Sequence, residues 1–242
     1  MSQVKNIIKD ALEGMFAVGA HFGYQRGRRH PSSKPYIFGS KNRVDIIDLE
    51  KTTVLLDGAK EFVKSLAASG KQILFVGTKP EAREAVLAGA ERLGMPYVTL
   101  RWVGGTLTNF SEIKKRMDRY QELAKKKEEG GLSVYTKKER GIFDRELTEL
   151  KENFGGLLPM KNFPGALFVI DSRAESIAVA EAGKIGIPVV SLSNSDCDLK
   201  PIAYPIVGND SARSSIAFFV GEIENAYRQG LSPEKQITSN NN

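Results

Sequence analysis

Apolar residues along this chain follow two alternating patterns, short unbroken runs and longer stretches in which they return every three or four positions. Gln72–Val76 and Ala166–Ile170 are such runs, as expected for strands buried on both faces of a parallel sheet, and Pro188–Leu192, with Ser191 inside it, reads as the next strand. Tyr97–Leu100 and Tyr204–Val207 read as shorter strands, and Val44–Leu49 as a strand end entering a helix. Helical spacing predicts helices from about Glu50 to Ala68, closed by Ser69-Gly70, and from Pro80 to Leu93, stopped by Gly94. A third runs through Ile185, and a last one carries Ile216, Phe219, Val220, Ile223 and Tyr227. Thr78 with Glu81 and Ser172 with Glu175 have capping-box spacing. Pro80 suits a first helical turn, and Asn209 or Asp210 is the expected cap of the last helix. At the amino end Val4, Ile7, Ile8, Ala11 and Leu12 share one helical face. Strands alternating with helices predict a doubly wound, mostly parallel α/β sheet.

One region breaks this alternation. After Phe110 the apolar positions thin to Ile113, Met117, Tyr120 and Leu123, then resume past Gly130-Gly131 as Phe143, Leu147, Leu150 and Phe154. Two narrow seams joined by a short turn predict an antiparallel coiled-coil helical hairpin inserted into the sheet domain. At 1.5 Å per residue an arm of about 18 residues reaches roughly 27 Å. The expected organisation is an α/β domain from 1–108 and 156–230, a hairpin insertion at 109–155, and a mobile tail at 231–242.

Composition narrows the function. The 242 residues carry a net charge of +6 with a pI near 9.3, which favours an anionic partner. No apolar run approaches the roughly 20 residues that span a bilayer, and Met1–Lys5 leads into an amphipathic pattern instead of a signal-peptide core. A cytoplasmic or organelle-interior location is expected. The lone cysteine, Cys197, excludes an internal disulfide and a cysteine-cluster metal site.

The charge is not evenly spread. From Gly14 to Val44 there is no acidic residue, while Arg26, Arg28, Arg29, Lys34, Lys41 and Arg43 all fall inside. Gly19, Gly23, Gly27, Pro31, Pro35 and Gly39 predict a mostly looped segment with Tyr36–Phe38 as a short strand. Guanidinium forks match phosphate oxygens and the interleaved Phe22, Tyr24 and Tyr36 can stack on bases, so these basic residues are candidate RNA ligands. A solvated basic loop is the plainer alternative. Lys114 and Lys115 extend the candidates into the hairpin, where a mixed-charge helix is by itself weak evidence of RNA contact.

Arg101–Phe110 joins the two kinds of sequence and holds the only Trp. Gly104-Gly105 suit a sharp turn, and Asn109 with Glu112 has capping-box-like spacing. Arg101 is a further RNA candidate. Trp102 has two readings, a stack on a base or a wedge between body and hairpin.

An enzyme is poorly supported. No G-x-G-x-x-G follows any predicted strand, and Gly77-Thr78-Lys79 lacks the upstream glycine of a Walker loop. Cys197 lies between Asp196 and Asp198, which would raise its pKa. Asp196, Asp198 and Asp210 could hold a hard cation, although loop aspartates more often cap turns. His21 and His30 lack neighbouring acids or thiols to complete a catalytic or metal pair. No cofactor is expected. The competing class is a flavodoxin-like enzyme or nucleotide-binding protein using the Gly77 loop, and a third is a free RNA-binding regulator.

An ordered series of motifs adds a resemblance: His21-Phe22-Gly23, Pro35-Tyr36-Ile37, Ile46–Leu49 with Lys51-Thr52, Phe75–Lys79, Arg101–Phe110, Phe168–Asp171, Ile187–Val190 and Pro205–Asp210. In that order they resemble small-subunit ribosomal protein two, the S-two family, in its bacterial or organellar form, over roughly Met15 to Gly230. The resemblance implies a flavodoxin-like domain with a projecting coiled-coil hairpin, bound to small-subunit ribosomal RNA and neighbouring ribosomal proteins. It also implies a part in docking the large S-one protein, with no homo-oligomer in the assembled state. The chain departs from the usual family pattern at Tyr24, at Arg29-His30 and across Asn194–Lys200.

Overall fold

A computed structural model of the chain describes residues 11–231. The helical face expected at Val4, Ile7 and Ile8 and the tail expected beyond Leu231 lie outside that range. Helical residues 11–17 (α1) lead into a small antiparallel sheet of β1 (Phe22–Gln25), β2 (Ile37–Lys41) and β3 (Val44–Ile47), in the order β1-β3-β2. The acid-free segment is therefore more ordered than its glycines and prolines predict. Short 3-10 turns at Arg26–Arg28 and Pro31–Tyr36 take up the breakers, and ladder pairing to β3 organises the rest.

The chain then winds a parallel sheet. Helix α2 (Leu49–Ala68) starts at Asp48, whose side chain accepts the N–H groups of Glu50 and Lys51. Strand β4 (Ile73–Val76), helix α3 (Pro80–Leu93), β5 (Tyr97–Val98), α4 (Phe110–Glu128), α5 (Lys137–Phe154), β6 (Ala166–Ile170), α6 (Ser176–Lys184), β7 (Val189–Ser193), β8 (Tyr204–Val207) and α7 (Arg213–Gly230) follow. The strands pair in the order β5-β4-β6-β7-β8, all parallel, which is the flavodoxin-like order. Helix α3 ends on Gly94 at φ 62°, a left-handed conformation glycine adopts without strain.

Both sheet faces are covered. Ile73 and Phe75 of β4 point into a core shared with α2, α3 and α7, whereas Leu74 and Val76 point to the opposite core with α6, Leu107 and parts of α4 and α5. Phe75 and Phe168 meet edge to face at 5.6 Å, both fully buried, and each such ring contributes about 1.5–3 kcal/mol. Ile113, Met117, Leu123, Leu150 and Phe154 are buried in the second core. Arg119 pairs with Glu146 at 2.9 Å and Lys127 with Asp144 at 2.8 Å, linking α4 to α5.

Several local expectations fail where a distant residue supplies a better partner. The Thr78–Glu81 and Ser172–Glu175 capping boxes do not form. Thr78 is bonded through its N–H and hydroxyl to Glu175, and Ser172 bonds Ser193. The caps of α3 and α6 are Lys79 and Glu175, neither with a side-chain capping bond. Asn109 caps α4 by position but not through its side chain. Ala212 is the cap of α7, while Asn209 accepts the N–H groups of Ser211 and Ala212 in a turn just before it. The strand expected at Tyr97–Leu100 ends at Val98.

Candidate nucleic-acid interface

The basic segment is held against the carboxyl ends of the parallel strands by its backbone and by an Arg28–Asp196 ion pair, while Asp45 on β3 binds Arg29 within the small sheet. The N–H of His30 donates to the Ser195 carbonyl at 2.8 Å, and the N–H of Tyr24 to the Ser195 hydroxyl at 3.0 Å. Arg29 forms a bidentate pair with buried Asp45, its Nε at 2.7 Å from Oδ2. Burial alone would raise the Asp45 pKa, but the Arg29 and Ser40 hydrogen bonds outweigh it and hold the carboxyl below its ordinary range. Arg29 is thus engaged inside the protein. Arg26, Arg28, Lys34, Lys41 and Arg43 are exposed. Of these, only Arg28 makes an ion pair among the described residues, with Asp196.

The fold brings an acid to His30 that its sequence neighbours lack, Asp198 at 3.7 Å. His30 accepts the Ser32 N–H at the start of a 3-10 turn. His21 stacks on Phe16 with centroids 4.5 Å apart, and burial lowers its pKa.

The junction at Arg101–Phe110 is built around a residue that periodicity did not single out. The Glu181 carboxylate on α6 accepts the N–H groups of Gly105 at 2.7 Å, Leu107 at 3.0 Å and Thr108 at 3.1 Å. It also accepts the Trp102 indole N–H at 3.2 Å and the Thr108 hydroxyl. Burial alone would raise the pKa of Glu181, but these donors, the backbone ones first, hold it below the ordinary range. Trp102 is buried, so its indole packs inside the protein and offers no free face to a base. Only Gly105 needs glycine's freedom, at φ 92°; Gly104 lies in open space without a positive φ. Arg101 is exposed at the start of the loop, and Lys114 and Lys115 are exposed on α4, Lys115 paired with Glu112 at 2.6 Å. A signal for Glu181 was present in the sequence, because an acid three residues from Ala178 stands on the buried face of an otherwise apolar helix.

The family described as Ribosomal protein S2 matches residues 15–230. The chain belongs to the ribosomal protein S2 family. It is 43% identical over 221 residues to the small ribosomal subunit protein uS2 of Nocardia farcinica, covering 91% of this chain and 78% of that one. The protein of the same name from Mycobacterium tuberculosis H37Rv is 46% identical over 213 residues, covering 88% and 74%.

In this S2-family chain the crevice where a flavodoxin-like sheet usually takes a ligand, between the diverging ends of β4 and β6, is filled by its own side chains. Lys79 pairs with Asp171 and lies 3.4 Å from Asp210. Burial opposes the charged ammonium, but Asp210 and Asp171 outweigh it and raise the Lys79 pKa. Burial first, then Asp171, pushes Asp210 up to about 6. Gly77 serves packing, since a Cβ there would come within 2.9 Å of Val86 on α3. Asp171, Cys197 and Asp210 each place one ligand atom within 4.8 Å of the others, but Lys79 already contacts both carboxylates, and a cation would have to displace it. The Cys197 thiol is pushed up to about 12 by burial first, then by Asp171 and Asp210. Asp196 and Asp198 do not join Asp210 in a cation site: Asp196 pairs with Arg173 and Arg28, and Asp198 accepts the Lys200 N–H.

Proposed function

We propose that this chain is a structural constituent of the small ribosomal subunit, binding its ribosomal RNA through basic residues and catalysing no reaction. The family match across residues 15–230 carries this reading, and the relatives named for the small subunit supply its setting. Arg26, Arg28, Lys34, Lys41 and Arg43 on the small sheet, with Arg101, Lys114 and Lys115, are the phosphate ligands of this reading. Arg29 holds the sheet in place through Asp45. Residues 109–155 act as an antiparallel coiled-coil hairpin inserted into the α/β body of 1–108 and 156–230, with the tail at 231–242. Its cross-pairs Arg119–Glu146 and Lys127–Asp144 favour this arrangement. Neighbouring ribosomal proteins, the large S-one protein among them where it is present, are the further partners. The chain enters the subunit as a single copy, on ribosomes in the cytoplasm or an organelle interior. Against nucleotide binding at the Gly77 loop stand Glu175, Asp171 and Asp210, whose carboxylates occupy the place a phosphate would take.

Sucrose-gradient fractionation of a cell extract tests the reading. The chain is expected to cosediment with small subunits and with assembled ribosomes, and a chain that remains at the top of the gradient would overturn it.

A further inference from the structure

Arg173 stands just after β6, far from Arg28 in the chain, yet the fold brings the two together. Both reach the same oxygen, Oδ2 of Asp196, Arg173 through Nη1 at 2.7 Å and Arg28 through Nη2 at 3.7 Å. The Asp196 side chain is only 5% exposed, whereas those of Arg28 and Arg173 are 55% and 57% exposed. One carboxylate neutralises one of the two cations. The pair therefore keeps about one unit of positive charge, with the unused donors of two planar forks at the surface. Arg28 is further restrained over the Tyr24 ring, 4.8 Å from its centroid. The two arginines line a cavity of about 610 Å³ together with His30, Ser172, Ser176 and Asp198. Asp198 is the opposing charge there; it faces His30 at 3.7 Å and accepts the Lys200 N–H.

We propose that Arg28 and Arg173, tethered by Asp196, clamp a single phosphodiester of RNA. This rests on the ribosomal RNA reading above and adds Arg173, which the acid-free segment does not contain. A backbone phosphate carries one negative charge and two unesterified oxygens, which match the remaining charge and the two forks. Arg26, Lys34, Lys41 and Arg43 of the same acid-free segment are exposed as well, and several cations on one segment suit a polyanion better than an isolated carboxylate on a partner protein. The buried carboxylate holds Arg173 through a hydrogen bond and, with the Tyr24 ring, restrains Arg28 before the ligand arrives, so less side-chain freedom is given up on binding.

The test is rebinding of the full-length chain to small ribosomal subunits stripped of it, with affinity measured across salt concentrations. Arg173→Ala and Arg28→Ala are each expected to weaken binding about tenfold, as for one charge-assisted hydrogen bond. Each should lower the salt slope by roughly 0.7–0.9, and the double variant by no more than either single one. Arg173→Lys, which keeps the charge and loses the fork, should fall between. Asp196→Asn adds positive charge, yet should bind more weakly because it releases both forks. Melting temperatures establish that each variant is folded. Unchanged affinity and slope for Arg173→Ala would overturn the proposal while leaving the ribosomal RNA reading standing. Additive slope losses in the double variant, or tighter binding by Asp196→Asn, would overturn the shared clamp. Weakened binding with unchanged phosphorothioate footprints would point to a protein carboxylate and overturn it too. An unmodified chain that fails to rebind removes both readings.

Discussion

The small antiparallel sheet and the helices α4 and α5 are both rich in Lys and Arg, but their charge is balanced in different ways. In the helices, Lys115, Arg119, Lys125 and Lys127 pair with Glu112, Glu146, Glu129 and Asp144, all within the same two helices or at their ends. In the small sheet and its turns the balancing carboxylates come from outside the acid-free stretch, Asp45 for Arg29 and Asp196 for Arg28. Their neighbours Arg26, Lys34, Lys41 and Arg43 have no ion pair among the described residues. A cationic run with its own acids is locally neutralised; one whose acids arrive by folding keeps a surplus at the surface, available to an anionic partner.

The largest expected effect lies at Asp45. Asp45→Ala leaves Arg29 without its buried partner and should cost on the order of 3 kcal/mol in a denaturant titration, at the low end because Arg29 keeps some exposure. The pH profile adds a sign. The folded-state pKa of Asp45 is lowered, so its contribution is present above the ordinary value of 3.8 and is lost as pH falls through the lower folded value. The variant should lack that part of the acid sensitivity, and an equally acid-sensitive variant would assign it elsewhere. Next, Arg26→Ala, Lys41→Ala and Arg43→Ala together should leave stability nearly unchanged. Their salt slope of subunit binding should fall by about 0.7–0.9 for each phosphate no longer neutralised. An unchanged slope would erase the difference between the two regions. Smallest is the effect at the helices: Arg119→Ala or Lys127→Ala should shift stability by less than about 1 kcal/mol, since these pairs are partly or largely exposed. A loss well above that in a thermal melt would mean that the pairs hold α4 to α5 more firmly than surface ion pairs do.

How much was legible varies with the range of the interaction. Helix α3 starts at Pro80 and stops at Gly94 as its sequence predicts, because proline geometry at a first turn and glycine at a left-handed terminus act within a few residues. The capping boxes at Thr78 and Ser172 misled for the opposite reason. Each is only a spacing, and Glu175 and Ser193 offered competing partners across the sheet. Of the candidate site, the one-signed charge of Gly14–Val44 was readable, but the engagement of Arg29 with Asp45 and the meeting of Arg28 with Arg173 were not.

By itself the sequence determined the alternation of strands and helices, the buried runs at Ile73–Val76 and Ala166–Ile170, and the family, since periodicity and motif order are properties of the chain read in line. Only the tertiary structure decided which carboxylate each cation and each orphan N–H would meet. Glu181 closing the Trp102–Thr108 loop, Lys79 filling the crevice between β4 and β6, and Asp196 gathering two distant arginines are all choices of this kind. Charged and polar groups leaving water must find partners wherever the packed backbone brings them, and that depends on how the strands are ordered more than on spacing along the chain.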